Sequence, residues 1–511
     1  MPPAPPLWEL TGRRPEDPAL DDGRRRVSWG ELDERTNAVG HGIEASGLAP
    51  GDHVVLAAGN KAEFIEVVLG VQRAGMVVTP LKTSWTPEEI DTVLEDAGTA
   101  LVATDVAAAR RAAARRGLPV LDLDAGFEDW LARQDRGPLS ADRRGWRMSY
   151  TSGTTGRPKG VVHPWSGASS FSESFVRSTA WAEAAGLPGD GPHLMASQLF
   201  HGAPLMFGLA TLARGACLRI MPRWEPESFL SALAEDGRST VLVPTMFRHL
   251  LAVPDETRRT YAAPALRTVV HGGEPCPREL KRRMFEWWGP VFVEYFGFTE
   301  GGMTLASTAD WLARPGTVGR PLPHQDVLIL GPGGESLAPG QEGVVYFRSV
   351  DGTRFAYFGD EAKSEQAYGP EGSFTAGDVG WMDEDGYLYI SGRQADTIVC
   401  AGVNVHPAEV EAVVDAVDGV RDVAVVAGPD DERGEQVVAV IVAAPGVDAD
   451  VLVERVAGAC GRALASYKRP RRILVRTAVR RDPTGELLCK ALRDELWQGR
   501  SRFAATPRAG P

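Results

Sequence analysis

The segment Tyr150-Thr-Ser-Gly-Thr-Thr-Gly-Arg-Pro-Lys-Gly160 gathers three glycines, four aliphatic hydroxyls and two cations directly before the apolar pair Val161-Val162. Those residue types suit a loop that holds a polyphosphate. Glycines let consecutive backbone N–H groups approach phosphate oxygens with no Cβ in the way. Ser152, Thr154 and Thr155 add hydroxyl donors, Arg157 and Lys159 add positive charge, and Pro158 between them fixes φ and narrows the loop's freedom. The segment does not end in Gly-Lys-Ser/Thr, so it is not a Walker A loop, and it is no Gly-x-Gly-x-x-Gly turn either.

Further clusters carry chemistry of their own. Gly272-Gly-Glu274 follows the apolar run Thr268-Val-Val-His, where bare backbone could meet the flat edge of a base; a tight turn explains it equally well. Glu294-Tyr-Phe-Gly-Phe-Thr-Glu300 sets aromatics, a glycine, a hydroxyl and a carboxylate within seven residues. Its rings could stack on a purine, and Glu300 is a hard oxygen donor suited to Mg2+ on phosphates, although a buried strand end reads the same way. In Phe374-Thr-Ala-Gly-Asp378 the aspartate could accept hydrogen bonds from two ribose hydroxyls, while Gly-Asp is also a common turn. His201, in Leu199-Phe-His-Gly, is a lone histidine among apolar residues, an arrangement more often structural.

The full eleven-residue string resembles the phosphate loop of the adenylate-forming (ANL) superfamily, which includes acyl-CoA synthetases, peptide synthetase adenylation domains and luciferases. The similarity runs from about residue 25 to residue 497, and its closest flavour is the acyl-CoA synthetase, or AMP-dependent synthetase and ligase, type. Glu294 to Glu300 resembles the superfamily's Tyr-Gly-x-Thr-Glu, with Phe296 in the tyrosine place and Phe298 where a smaller residue is usual. Ser391-Gly-Arg-Gln-Ala-Asp, running on to Glu411, resembles the hinge and the opening of the C-terminal domain.

The resemblance implies ATP held by Thr151, Ser152, Gly153, Thr154, Thr155, Gly156, Lys159, Gly272, Gly273, Glu274, Tyr295, Phe296, Gly297 and Thr299, with Asp378 and Arg393 on the ribose. Thr155 and Lys159 would act on the phosphates and Glu300 on Mg2+. His201, Gly273 and Phe298 would face the acyl group, with Phe298 narrowing its pocket. Ala401-Gly402 would line the path of a pantetheine arm. The implied reaction makes an acyl-adenylate from a small carboxylic acid, aliphatic or aryl, then a thioester with CoA or another pantetheine thiol. The implied architecture is α/β: an N-terminal AMP-binding domain (1–392) of βα subdomains with a small β-barrel-like part, a hinge (393–396) and a mobile α+β lid (397–500). A carrier protein and a homodimer are both compatible with it.

One position departs from the pattern. Val479 to Arg493 aligns without gaps to the family's Pro-x-x-x-x-Gly-Lys segment, and the lysine that would bridge the substrate carboxylate and the α-phosphate is replaced by Glu486. Lys490, four residues on, either reaches in as a substitute or forms an exposed pair with Glu486 worth a few tenths of a kcal/mol. Three activities follow as expectations: acyl-CoA ligation; ATP- and nitrite-dependent diazotisation of an aryl amine, known among specialised-metabolism relatives; or an adenylation-impaired protein that binds nucleotide or runs only the thioester half.

These groups must be positioned by alternating elements. Apolar runs such as Val54-Val-Leu-Ala-Ala separated by helical stretches predict βα units and a mainly parallel sheet through residues 27 to 140. Further strands are expected at Leu194, Cys217, Thr240 and Thr268, antiparallel structure from Asp326 to Arg348, and two αβ-like units beyond Gly392. A chain of 511 residues exceeds what one core supports. A net charge of -13 argues against a nucleic-acid surface, and no apolar run approaches the ~20 residues of a membrane span. Met1 to Pro6 reads as an extended tail and Ser501 to Pro511 as disordered; five scattered cysteines without a CxxC fit a reducing cytoplasm.

Overall fold

The computed structural model describes residues 2–151, 159–163, 168–400, 403–430, 434–479, 481 and 489–497. The predicted βα alternation produces a five-stranded parallel sheet in the order Val120–Asp122, Thr99–Thr104, His53–Ala57, Val77–Pro80, Trp146–Arg147. Its central strand, His53–Ala57, is buried on both faces by flanking helices, which is why Val54 to Ala57 is continuously apolar. A nine-stranded sheet follows, with Pro192–Met195, Ser239–Leu242, Thr268–Gly272 and Phe292–Phe298 as parallel neighbours and antiparallel strands at both edges. The four strands expected from the sequence are all present here.

The barrel-like part is a four-stranded antiparallel sheet, Gln325–Leu330, Gly343–Ser349, Asp378–Met382 and Leu388–Arg393, beside a three-stranded one. The two share a core of Val161, Ile329, Val345, Phe347, Phe355, Phe374 and Leu388. Beyond residue 397 a separate sheet and its helices enclose their own core around Ile398, Val425, Ile441 and Val456, giving a small α+β domain.

The elements that position the site run in chain order as β1 (Trp146–Arg147), β2 (Ser149–Thr151), β3 (Lys159–Val162), α1 (Gly202–Ala213), β4 (Thr268–Gly272), β5 (Phe292–Phe298), β6 (Gly301–Ser307) and β7 (Ala356–Tyr357). They continue as β8 (Asp378–Met382), β9 (Leu388–Arg393), α2 (Pro407–Asp415), β10 (Val420–Asp430), β11 (Gly434–Ala443) and α3 (Cys489–Trp497). Among the described residues no helix is long and apolar enough to cross a membrane.

Candidate active site

Lys159 opens β3, which pairs antiparallel with β2 on one side and with β7 on the other. That sandwiching brings Lys159 Nζ to 4.9 Å from the centre of the Tyr357 ring, a cation–π contact. The Tyr357 hydroxyl donates to Glu300 Oε1 at 3.1 Å. Burial holds the Lys159 ammonium below its usual range; Lys363 pushes the same way, while Glu300 and Asp360 oppose it. A cation and a carboxylate from distant segments thus meet around one tyrosine.

Glu300 lies in the tight link from β5 to β6, where the register shifts between Gly297 and Phe298. Gly302 makes this link possible: its φ is +78°, and a Cβ there would lie 2.5 Å from the Phe347 ring. His163 Nε2 donates to the Thr299 carbonyl oxygen at 2.7 Å, tying the link to the end of β3.

Asp378 and Arg393 are register partners across β8 and β9, so strand pairing sets the two ribose candidates face to face. Arg393 Nε lies 3.4 Å from Asp378 Oδ1. Asp378 is only 4% exposed, and burial raises its carboxyl above the ordinary range although Arg393 pulls it down. Its Oδ2 is buried and has no hydrogen-bond partner among the described residues. A buried acceptor in that state fits a ligand that brings hydroxyl donors.

Gly272 ends β4 beside Tyr295, and Gly273 has φ +82°, so bare backbone is presented at the strand end as expected. Glu274 is engaged elsewhere: it accepts from the backbone N–H of Thr245 and from Thr245 Oγ1 at 3.0 Å, and Arg481 approaches it at 3.8 Å. Tyr295 is buried against Phe207, ring centres 5.5 Å apart. Phe298 packs edge-on to Phe347 at 5.3 Å and to Phe296 at 5.4 Å. Phe298 is partly buried and packs against the core of the antiparallel sheets. His201 is the residue before α1, its ring 4.5 Å from that of Phe200.

Ser152, Gly153, Thr154, Thr155, Gly156 and Arg157 of the phosphate loop, Ala401-Gly402, Glu486 and the 501–511 tail lie outside the described residues, as does the side chain of Lys490, whose backbone belongs to α3. Among the described residues no three His, Cys, Asp or Glu side chains cluster as a metal cage. Mg2+ held by Glu300 would take its other ligands from phosphates and water, its usual habit. Sequence reasoning missed Tyr357, His163 and Arg481, which reach the site through strand pairing and domain contact. Two surface grooves, one along Asp21 to Arg26 and one beside Tyr261, Trp287 and Trp288, are lined by none of the expected site residues.

A large parallel α/β domain joined to a small α+β domain, with bare strand-end backbone and a buried unsatisfied aspartate near the junction, is the design of an AMP-forming ligase. The chain belongs to the AMP-binding enzyme family, whose model matches residues 7–354, with the AMP-binding enzyme C-terminal domain matching residues 409–486. It is of the acyl-CoA synthetase type. Long-chain-fatty-acid–CoA ligase FadD13 of Mycobacterium tuberculosis is 30% identical over 486 residues, 92% of this chain and 93% of that protein. Feruloyl-CoA synthase of an Amycolatopsis species is 31% identical over 477 residues, 91% of this chain and 94% of its own length. Among solved structures, ATP-bound MatB from Rhodopseudomonas palustris superposes with a TM-score of 0.83 at 26% identity, over 96% of this chain and 98% of that one.

Proposed function

We propose that the protein activates a small carboxylic acid with ATP as its acyl-adenylate and passes the acyl group to the thiol of CoA or of a carrier-bound pantetheine. The observation that carries this reading is the buried Asp378 Oδ2, unpartnered beside Arg393 and suited to ribose hydroxyls. In the first half the acid's carboxylate oxygen bonds to the α-phosphorus and the bond to the β-phosphate bridging oxygen breaks, releasing pyrophosphate. Lys159 and the preceding loop, Thr155 included, neutralise that leaving group. Mg2+ on Glu300 supplies further charge stabilisation when bound. In the second half a thiol attacks the acyl carbon, loses its proton, and AMP leaves. Between the halves the small domain rotates about 393–396, with Ala395 or Asp396 as pivot. The CoA ligases among the relatives support this reading, and feruloyl-CoA synthase supports an aryl acid within its range.

The direct test is pyrophosphate release with ATP and a panel of carboxylic acids; release that needs both, and that chelating Mg2+ abolishes, is expected. Absence of release across a broad panel would sink it. Glu486 favours a second reading. A charge pair 4 Å apart is worth ~1 kcal/mol in water and ~4 at an effective dielectric of 20, so reversing one sign impairs carboxylate binding by several decades unless another cation serves. The site would then activate nitrite with ATP and diazotise an aryl amine. Mass spectrometry after incubation with ATP, nitrite and aminoaryl acids separates the two. Thioester formation from a preformed acyl-adenylate, without pyrophosphate release from ATP, would instead identify a protein running only the second half.

A further inference from the structure

Three well-shielded cations among the described residues meet carboxylates: Arg73 pairs with Asp33 at 2.6 Å, Arg35 with Glu66 at 2.9 Å, and Lys61 with Asp105 at 2.8 Å. Arg147 differs. It sits at the end of β1, and its Nη1 donates to the Gly202 carbonyl oxygen, in the first turn of α1, at 3.2 Å. No carboxylate pairs with it among the described residues, and burial with nothing opposing it pushes its guanidinium down to about 10. Arg147 is itself partly exposed, and among the described residues a single carbonyl engages one of its five guanidinium N–H groups, which leaves the others open to a ligand.

The surroundings of Arg147 are those of a cleft wall. A Cβ on Gly202 would meet no atom of the described residues within 4 Å, which leaves room beside the first turn of α1 among them. Ala203 and Met206, on the same helix, are partly exposed, and His201 precedes it. His163 is also nearby: burial chiefly lowers its imidazole below the usual range, Arg147 adds to that, and its Nε2 donates to the Thr299 carbonyl oxygen next to Glu300. Arg147 therefore lies between the expected acyl-contact residue His201 and the link that carries Glu300. Apolar lining ending in an unpaired guanidinium selects a ligand with an apolar body and an anionic end.

We propose that Arg147 is a specificity-determining residue that binds a second, ionised carboxylate of the acid substrate, so that the preferred substrates are dicarboxylic acids of which one carboxylate is activated and the other is held by the guanidinium. This rests on the acyl-activating reading of the site. Two N–H groups of the guanidinium can grip a carboxylate in the plane, a geometry that lysine cannot reproduce.

The test measures binding separately from chemistry. Isothermal titration of the full chain, with AMP present, compares glutarate with pentanoate and isophthalate with benzoate, for the natural protein and for Arg147→Leu and Arg147→Lys. The natural protein is expected to bind at least one diacid about tenfold or more tighter than its monoacid match. Arg147→Leu should erase that preference while keeping the monoacid affinity, and Arg147→Lys should recover only part of it. Equal affinities for diacid and monoacid in the natural protein, or binding of neither diacid, overturns the proposal. So does an equal loss of both acids in a folded Arg147→Leu variant, which would make the residue a latch between β1 and α1. Melting temperatures of both variants establish that they fold. Pyrophosphate release is followed in parallel: diacid preference in binding without release faults the adenylation reading and leaves the Arg147 site standing, whereas release with no preference does the reverse.

Discussion

Two carboxylates matter most to the proposed chemistry, Asp378 for its burial and Glu486 for its place in the sequence pattern. Asp378 is buried with one oxygen unpartnered, so replacing it by asparagine keeps the volume and halves the acceptor capacity. Asp378→Asn is expected to weaken ATP binding about tenfold to a hundredfold, the worth of one or two hydrogen bonds to a charged group, as a shift in Kd measured by titration calorimetry. An unchanged Kd would remove this residue from the nucleotide site. Glu486→Lys restores the cation that the family pattern has at this position. If carboxylate activation is the chemistry, pyrophosphate release should rise by at least about tenfold, one decade per ~1.4 kcal/mol. No change would show that the role is filled elsewhere or unused.

The β5–β6 link and α2 carry predictions that belong to elements. Gly302→Ala forces a Cβ into the Phe347 ring at a positive φ, so a loss of about 2 to 4 kcal/mol in unfolding free energy is expected, read by denaturant titration. On α2, burial pushes the Glu411 carboxyl up to about 7, although the Val425 N–H and Arg481 favour its ionised form. Protonated Glu411 suits the fold: its contribution is complete below the unfolded value near 4.5 and is lost as pH rises through about 7. The span corresponds to about 3 kcal/mol. Glu411→Gln should therefore raise Tm at pH 8 and leave it unchanged near pH 4.5; equal effects at both pH values would refute the titration.

Elements were also the level at which the sequence was most readable. The runs at Leu194, Thr240 and Thr268 are strands covered on both faces, while that at Cys217 alternates buried Leu218 and Ile220 with partly exposed Cys217 and Arg219, each a local pattern with a local cause. Asp378 and Arg393 were legible from their motifs, and their antiparallel register explains why both belong together. Tyr357 was not, since nothing around Ala356-Tyr357 marks a two-residue strand, and its meeting with Lys159 and Glu300 depends on pairing with β3 far back in the chain. The packing of Phe298 escaped for the same reason: its neighbour Phe347 comes from another sheet. Arg147 carries no motif, and its want of a carboxylate partner among the described residues is a property only of the folded chain.

At the scale of the molecule, an ion pair and a hydrogen bond among the described residues join the domains: Arg248 to Asp415 at 2.7 Å and His406 Nε2 to Glu342 Oε1 at 3.0 Å. Arg481 adds a third link, bonded to Asp422 at 2.7 Å and standing 3.8 Å from Glu274. Glu274 is thus occupied by the C-terminal domain in this arrangement. Asp415 is nearly buried, so the Arg248 pair outweighs an ordinary surface bridge, about 1 to 3 kcal/mol against a fraction of one. Arg248→Ala should loosen the small domain and speed tryptic cleavage after Arg393 several-fold, followed by gel and mass spectrometry. Unaltered cleavage would show that the pair does not hold the domains together.

The rung formed by Asp378 and Arg393 has a mechanical consequence. The Arg393 carbonyl receives the N–H groups of Asp396 at 3.1 Å and Thr397 at 3.0 Å, so the chain turns away immediately past the rung. Torsion at Ala395 or Asp396 leaves the ladder untouched. On the proposed reading, a nucleotide gripped there would behave like a workpiece in a fixed chuck while the tool turret beyond it indexes to a new face. Two operations could then be performed on one clamped piece, without a reactive mixed anhydride being set down in water between them.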